Sequence, residues 1–304
     1  MSIFHPQTSA QRERRDVLLA SSLRPDGSHF PIAAEYPLVL SENGTQYSFC
    51  LGEPEAPLAH ANLWPRRLIS QTHDVVLTVG LIGNVATSSD HRGQGLMRAL
   101  FSELKSAASA QGLEGLVLWS DLVEFYQKLG FKSCGSELRW QFSRDKLRSL
   151  FPRQSNFAKI KNLSTHEAQR LLSLRYPVPF TLDRSPQEFQ TLITIPEVTI
   201  LASDRKDATF VILGKGCDMT CVVHEWGAPS AEALLMGVLA AAEAADLPEI
   251  VLLTPKTLAQ SWSQKMRPHA VAQAEHSMAL SWWPDHSHAP DLLASSFIWG
   301  LDSI

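Results

Sequence analysis

Two stretches of this chain match each other in pattern. Residues 113–121 read LEGLVLWSD and residues 247–255 read LPEIVLLTP, 134 positions later. The segments before them agree as well: Leu100, Phe101, Leu104 and Ala108 fall on Leu234, Leu235, Val238 and Ala242. Further along, FYQKLGF at 125–131 is answered by WSQKMRP at 262–268, now offset by 137. Three matches in one order at nearly constant offset point to an internal duplication. A chain of 304 residues also has room for two domains. The expected division is 1–145 and 146–304. The link is expected over about 142–164, where charge, Pro152 and polar residues gather without periodicity.

Within the first copy the pattern is α/β. An amphipathic helix starts near Ser9, a loop covers 24–34, and strand-like runs follow at 45–52, at 58–68 with a break at Pro65, and at 75–87. The polar turn SSDHRGQG then leads into a helix from about Gly95. Leu96, Met97, Leu100, Phe101, Leu104, Ala107 and Ala108 line one face of that helix, and Gly112 closes it. LVLWS reads as a buried strand, DLVEFYQKLGF as a short helix closed by Gly130, and GSELRWQF as the domain's last strand. Strand, turn, helix and strand in that order predict a mixed α+β sheet that is parallel in part.

Composition excludes several classes. A net charge of -4 and a pI of about 6.3 give no basic footprint for nucleic acid, and the cluster Arg12, Arg14 and Arg15 is broken by Glu13. The first residues have no apolar signal core, and no run of about 18 apolar residues would span a membrane, so the expected location is cytoplasmic. Four cysteines, Cys50, Cys134, Cys217 and Cys221, read as free thiols. Cys217, Cys221 and His224 lie close in sequence without zinc spacing, so no metal is expected. His286 and His288 read as surface residues of a polar loop.

The turn between strand and helix carries the chemistry. First-turn amides of a helix lack internal acceptors and face the turn with the positive end of the dipole. Gly93 and Gly95 allow successive N–H groups to converge on an anion, and Arg92 adds a charge with fork geometry. Such a nest suits a pyrophosphate. A Walker A loop would need Gly-Lys followed by Ser or Thr, and a dinucleotide fingerprint would need glycine where Arg98 stands. The blander reading of these six residues alone is a glycine-rich connector with a surface arginine. The second copy has EWGAPSA where the first has HRGQGLM, so Glu225, Trp226 and Pro229 stand near the positions of Arg92 and Gly95. It reads as a domain without the site.

VATSSDHRGQGLMRALFSELKSAASAQG followed by LEGLVLWSDLVEFYQKLGF resembles the GCN5-related N-acetyltransferase superfamily. Arg92 and Gly95 fill the first two fixed places of its pyrophosphate motif, and Met97 departs from the usual Gly or Ala in the third. Phe125, Tyr126, Lys128, Gly130 and Phe131 meet its second landmark. The resemblance implies an acyl-CoA N-acyltransferase-like fold, duplicated, with a degenerate second domain. It implies acetyl-CoA or coenzyme A held by Arg92, Gly93, Gln94, Gly95, Leu96 and Met97, with the pantetheine arm along Val85, Ala86 and Thr87. Ser120 would touch the cofactor, and Tyr126 would protonate the departing thiolate. The implied partner is a small-molecule or peptide amine; a homodimer is left open.

Other candidates are weighed against the places the resemblance implies for them. Glu53 ends the strand YSFCLG and could take the ammonium proton, although an exposed loop residue beside Pro54 and Glu55 is the blander reading. Ser120 and Asp121 read as a helix N-cap, Thr87 and Ser88 as strand end or pantetheine contact, and Trp119 as groove wall or core. Lys128 reads as a surface lysine near phosphates, and His91 as too close to the pyrophosphate turn to be a base. Phe297, Ile298, Trp299 and Leu301 make 297–304 too apolar for a free tail. Three functions remain: an acyltransferase, a non-catalytic CoA-binding sensor, and a structural module of the same fold.

Overall fold

The computed structural model describes residues 2–70, 74–152, 157–203, 209–276, 279–284, 294 and 296–304. The chain divides into two compact units. One is Met1–Cys134 with Met278–Ala294 and Ser303–Ile304; the other is Gly135–Ser277 with Ser295–Asp302.

The first unit begins with β1 (Ser2–Phe4), α1 (Ser9–Leu23), α2 (Ile32–Glu35), β2 (Ser48–Glu53), β3 (Ala56–Ser70) and β4 (Val76–Thr87). It continues through α3 (Leu96–Ala110), β5 (Gly115–Trp119), α4 (Val123–Gln127) and β6 (Lys132–Ser133). The second unit holds β7 (Glu137–Ser143), α5 (Arg144–Leu150), β8 (Phe157–Ile160), α6 (Thr165–Leu174), β9 (Phe180–Leu182), α7 (Pro186–Leu192), β10 (Thr199–Ser203) and β11 (Phe210–Leu213). There follow β12 (Val222–Gly227), α8 (Ala231–Ala244), β13 (Glu249–Pro255), α9 (Gln260–Met266) and β14 (Ala272–His276). A last strand, β15 (Ala279–Trp282), belongs to the first unit.

Local chemistry sets the helix ends. Thr8 caps α1 in a reciprocal box with Gln11, and Ser164 and Ser185 do the same for α6 and α7 with Glu167 and Glu188. Gly112, at φ 68°, turns the chain after α3 while Leu113 N–H reaches back to the Ala108 carbonyl at 2.9 Å. In the second unit Asp246 takes the same left-handed conformation, and Leu247 N–H reaches Ala242 at 2.8 Å.

The duplication is visible strand by strand. The first sheet runs β1-β2-β3-β4-β5-β15-β6 and the second β8-β10-β11-β12-β13-β7-β14. In each, the pair at the centre (β4 with β5, β12 with β13) is parallel and the other pairs along the path are antiparallel. The parallel pair marks the crossover through α3 or α8, whose apolar faces cover the sheets.

Three sequence expectations need correction. GSELRWQF does not close the first domain: β7 pairs along its whole length with β13, from Glu137 opposite Pro255 to Ser143 opposite Glu249. Its counterpart in the first sheet is β15, from the second half, which lies between β5 and β6. A boundary at 145 therefore cuts a unit that begins at Gly135. Both strands are short, β7 alternating and β15 almost wholly buried, so neither carries a local mark of which sheet it joins. The stretch 142–164, expected to be irregular, contains α5, capped by Ser143, and β8. Finally, β3 runs through Pro65 without a break. The β2–β3 ladder ends at Asn62, so the missing N–H of Pro65 removes none of its rungs.

No disulfide and no cluster of metal-ligating side chains occurs among the described residues. None of their helices is long and apolar enough to cross a membrane. His286 and His288 lie outside the described residues.

Candidate functional site

The site begins where two parallel strands part. β4 and β5 pair from Val79 opposite Gly115 to Ile82 opposite Leu118, and β4 then continues alone on that side to Thr87. On its other side it stays bound to β3, where His60 faces Ala86 and Asn62 faces Gly83. Two steps on β3 thus match three on β4, a bulge centred on Asn84, whose φ is 48°. The unpaired side of 83–87 leaves main-chain groups for an extended ligand, as a further strand would use them. Gly83 has no space for a side chain, because the main-chain carbon and oxygen of Ile304, in the same unit, stand where its Cβ would be.

Beyond Thr87 the chain makes a short 3-10 turn and enters α3 through Gly95. Gly93 and Gly95 both have φ of 77°, where L residues are strained, and the space beside each is open. Gly95 is the N-cap of α3, and no side chain caps the helix. Its first amides are left for another acceptor. Arg92 is exposed and makes only a 3.5 Å contact from Nε to the Thr87 carbonyl.

A cleft of about 730 Å³ joins these features. Its walls include Val85, Ala86 and Thr87, the turn from His91 to Met97 except Gln94, and Tyr126. The volume is in the range of ligand sites. Gln94 instead donates to the Asp90 carbonyl. Sequence reasoning did not find the rest of the wall: Ser22 and Leu23 at the end of α1, Arg98, and Leu122, Phe125 and Leu129 around α4. Leu122 and Phe125 are exposed apolar residues outside the helical periodicity that marks the core. A separate hollow of about 860 Å³ runs along α1 and 24–42 and shares no residue with this cleft.

Tyr126 has two kinds of neighbour. Its ring packs edge-on against Phe101, Phe125 and Phe131. Its hydroxyl shares a hydrogen bond with Ser120, and burial pushes its pKa up to about 12. Ser120 also accepts from Leu122 N–H at 3.0 Å, so it braces the turn before α4 without being its N-cap, which is Leu122. Lys128 lines the cleft, whereas Trp119 pairs with Ala279 at the end of β5. Glu53 is exposed at the β2–β3 hairpin and is not among the residues that line the cleft.

The corresponding place in the second unit is occupied by its own chain. Only Ala228, Pro229 and Ser230 separate β12 from α8, and Ser230 accepts from Ala233 N–H at 3.2 Å, closing the helix end. Glu225 and Trp226 lie within β12, not in the turn as the sequence comparison placed them. Glu225 is buried and accepts both guanidinium nitrogens of Arg184. Beside the end of β12, Tyr176 N–H donates to the Trp226 carbonyl at 3.3 Å, and the Leu174 carbonyl stands where a Gly227 Cβ would be. Phe297 and Trp299 are buried in this unit's core, as the apolar C-terminal stretch predicts.

Fold and cleft together define the class: two acyl-CoA N-acyltransferase folds, the first of which has an open cleft at the end of its central parallel pair. Residues 41–133, the segment bearing the turn, match the family model for the acetyltransferase (GNAT) domain. Solved structures agree in fold. A GCN5-related N-acetyltransferase from Kribbella flavida superposes with a TM-score of 0.65 at 16% identity, over 93% of this chain and 71% of that one. A putative acetyltransferase from Pyrococcus horikoshii gives 0.62 at 10% identity, over 99% and 95%. The N-myristoyltransferase of Saccharomyces cerevisiae with bound myristoyl-CoA gives 0.60 at 10% identity, over 92% and 82%. No curated protein sequence matches the chain.

Proposed function

We propose that the protein is an N-acyltransferase that holds an acyl-CoA in the cleft of its first unit and passes an acetyl or other short acyl group to a small-molecule or peptide amine. The observation that carries this is a coincidence in one cleft. The unpaired side of β4, the uncapped start of α3 with its two left-handed glycines, and the Tyr126 ring all meet there.

The residues suit the parts of such a donor. Amides at 93–97 would receive the pyrophosphate, with Arg92 adding charge from the rim. Main-chain groups of Val85, Ala86 and Thr87 would pair with the pantetheine amides. Bound there, the thioester supplies an activated acyl carbon. The chain's contribution is then to hold that carbon beside the amine and to orient backbone N–H groups toward its oxygen. Tyr126 is the residue we assign to deliver a proton to sulfur as the C–S bond breaks and the N–C bond is made, the proton that the amine nitrogen gives up returning to the phenolate through solvent. Its raised pKa keeps the proton on the phenol at neutral pH. Glu53, on the hairpin, has no part in this arrangement. The second unit, with its cleft filled, holds no CoA in this reading.

The test is release of the CoA thiol from acetyl-CoA across a panel of amines, beside calorimetric binding of CoA. Amine-dependent release supports transfer. Binding without release on any amine would favour a CoA-sensing module, a reading to which the packing of Tyr126 among three phenylalanines lends some weight. No binding would leave the fold as a structural module.

A further inference from the structure

The bulge in β4 is held from behind by a line of buried polar side chains. Ala59, Ala61 and Leu63 of β3 belong to the core under α3, so His60 and Asn62 point to the opposite face. There Asn84 Nδ2 donates to Asn62 Oδ1 at 3.0 Å. Asn62 Nδ2 donates to the Tyr47 carbonyl at 3.1 Å and to Ser48 Oγ at 3.3 Å. Ser48 Oγ also accepts from Arg15, whose second guanidinium nitrogen donates to the Leu40 carbonyl at 2.6 Å. His60 Nδ1 lies 2.8 Å from the Asn84 carbonyl; a carbonyl only accepts, so this nitrogen carries the proton. Arg15, Ser48, His60, Asn62 and Asn84 are all buried.

Such a chain is costly to bury unless it fixes something. What it touches at its end is one residue. Asn84 is gripped twice, by its side chain and by its carbonyl, and it alone holds the positive φ in β4. Left-handed backbone is unfavourable for a residue with a Cβ, and surrounding structure must over-determine it. The next residue along is Val85, where the cleft wall begins. Burial lowers the His60 pKa to about 3, so its grip on the carbonyl is that of a neutral donor throughout the working pH range.

We propose that Asn62 is a positioning residue for acyl transfer: through Asn84 it fixes the β4 bulge, and thereby the edge formed by Val85, Ala86 and Thr87 along which the pantetheine arm would lie and present its thioester. Asn62 does not line the cleft and touches no reacting atom in this account. The inference rests on the acyltransferase reading above. It separates the site into two parts: the α3 turn, which gives affinity for the pyrophosphate, and the bulged edge, which gives alignment of the acyl carbon. A misplacement of about 1 Å in such an edge can lower a rate by two orders of magnitude.

Two variants test it in the full chain. Asn62→Ala removes the link between Ser48 and Asn84. Asn84→Gly removes the same link while keeping a residue at ease with positive φ, which guards against loss of folding. Both are measured for CoA affinity by calorimetry, for steady-state transfer from acetyl-CoA, and for thermal stability. The expected result is CoA affinity within about twofold of wild type and a kcat lower by roughly tenfold or more, with KM for acetyl-CoA little changed. Wild-type kcat in folded Asn84→Gly overturns the inference, as does an equal loss of CoA binding and turnover. A wild-type protein that transfers to no amine would instead sink the acyltransferase reading itself.

Discussion

Tyr176 and Trp226 are joined twice in the second unit: by a backbone hydrogen bond of 3.3 Å from Tyr176 N–H to the Trp226 carbonyl, and by rings whose centroids are 5.0 Å apart. Trp262 stacks on Trp226 at 5.9 Å and meets Tyr176 at 5.3 Å, so the plug is both main chain and aromatic. In the first unit the equivalent strand end borders an open cleft. The two units thus share a strand order and differ at this strand end.

The expected consequence is a single CoA per chain. Calorimetric titration should give a stoichiometry of one, and a cocrystal should show ligand against 92–97 only. Density for CoA beside β12 would contradict the assignment.

Replacing Tyr126 with Phe removes the hydroxyl and leaves the ring in its cluster of phenylalanines. We expect CoA affinity to stay nearly constant while kcat falls at least roughly tenfold, a usual loss for one acid–base group. Full turnover in the folded variant would return Tyr126 to the core and leave proton delivery to solvent.

The strand exchange makes a prediction about dissection. A fragment of residues 1–145 lacks β15, which covers β5 from Leu116 to Trp119 and holds β6. It also retains β7, whose partners β13 and β14 are gone. Such a fragment would expose apolar edges and is expected to aggregate or stay unfolded. A cooperative thermal transition in the soluble fragment would show that the first unit needs no strand from the second half.

Glu137 gives a pH signature. It is buried at the start of β7, and desolvation raises its pKa to about 7, against the partial relief of Arg139. A carboxyl raised above its unfolded value favours folding fully below that value, near 4.5, and this contribution is lost as pH rises through 7. Glu137→Gln should therefore match wild type at pH 4.5 and exceed it at pH 8, by up to about 3 kcal/mol. Urea midpoints for both proteins at the two pH values decide it; an unchanged difference would mean that Glu137 is ionised without penalty.

What the sequence revealed follows from how local each signal is. Gly93, Gly95 and the apolar face from Leu96 to Ala108 lie within one turn and one helix, so the glycine turn and the helix it opens were legible. The repeat was legible because β5 and β13 are continuous apolar runs. β7 and β15 escaped because RWQF and ALSW are equally at home beside β5 or β13, and partner choice depends on residues more than a hundred positions away. The second unit's plug escaped for a similar reason: Tyr176 reads as a loop residue until the chain returns it to Trp226. Pro65 misled because a rule about interior proline was applied where the β2–β3 ladder had already ended. The link from Asn62 to Asn84 spans three strands and leaves no trace in periodicity.

The central claim is that the turn at Gly95 holds CoA, and a calorimetric comparison of wild type with Gly95→Asp tests it most directly. The space beside Gly95 is open, so a Cβ there meets no atom, and the cost to folding is the left-handed φ of 77°, about 1–2 kcal/mol for a residue with a Cβ. Its carboxylate would stand in the nest and repel the pyrophosphate. The account predicts measurable CoA binding to wild type and a Kd at least roughly tenfold weaker in the folded variant, about 1.4 kcal/mol. Equal affinity in the two proteins would contradict it.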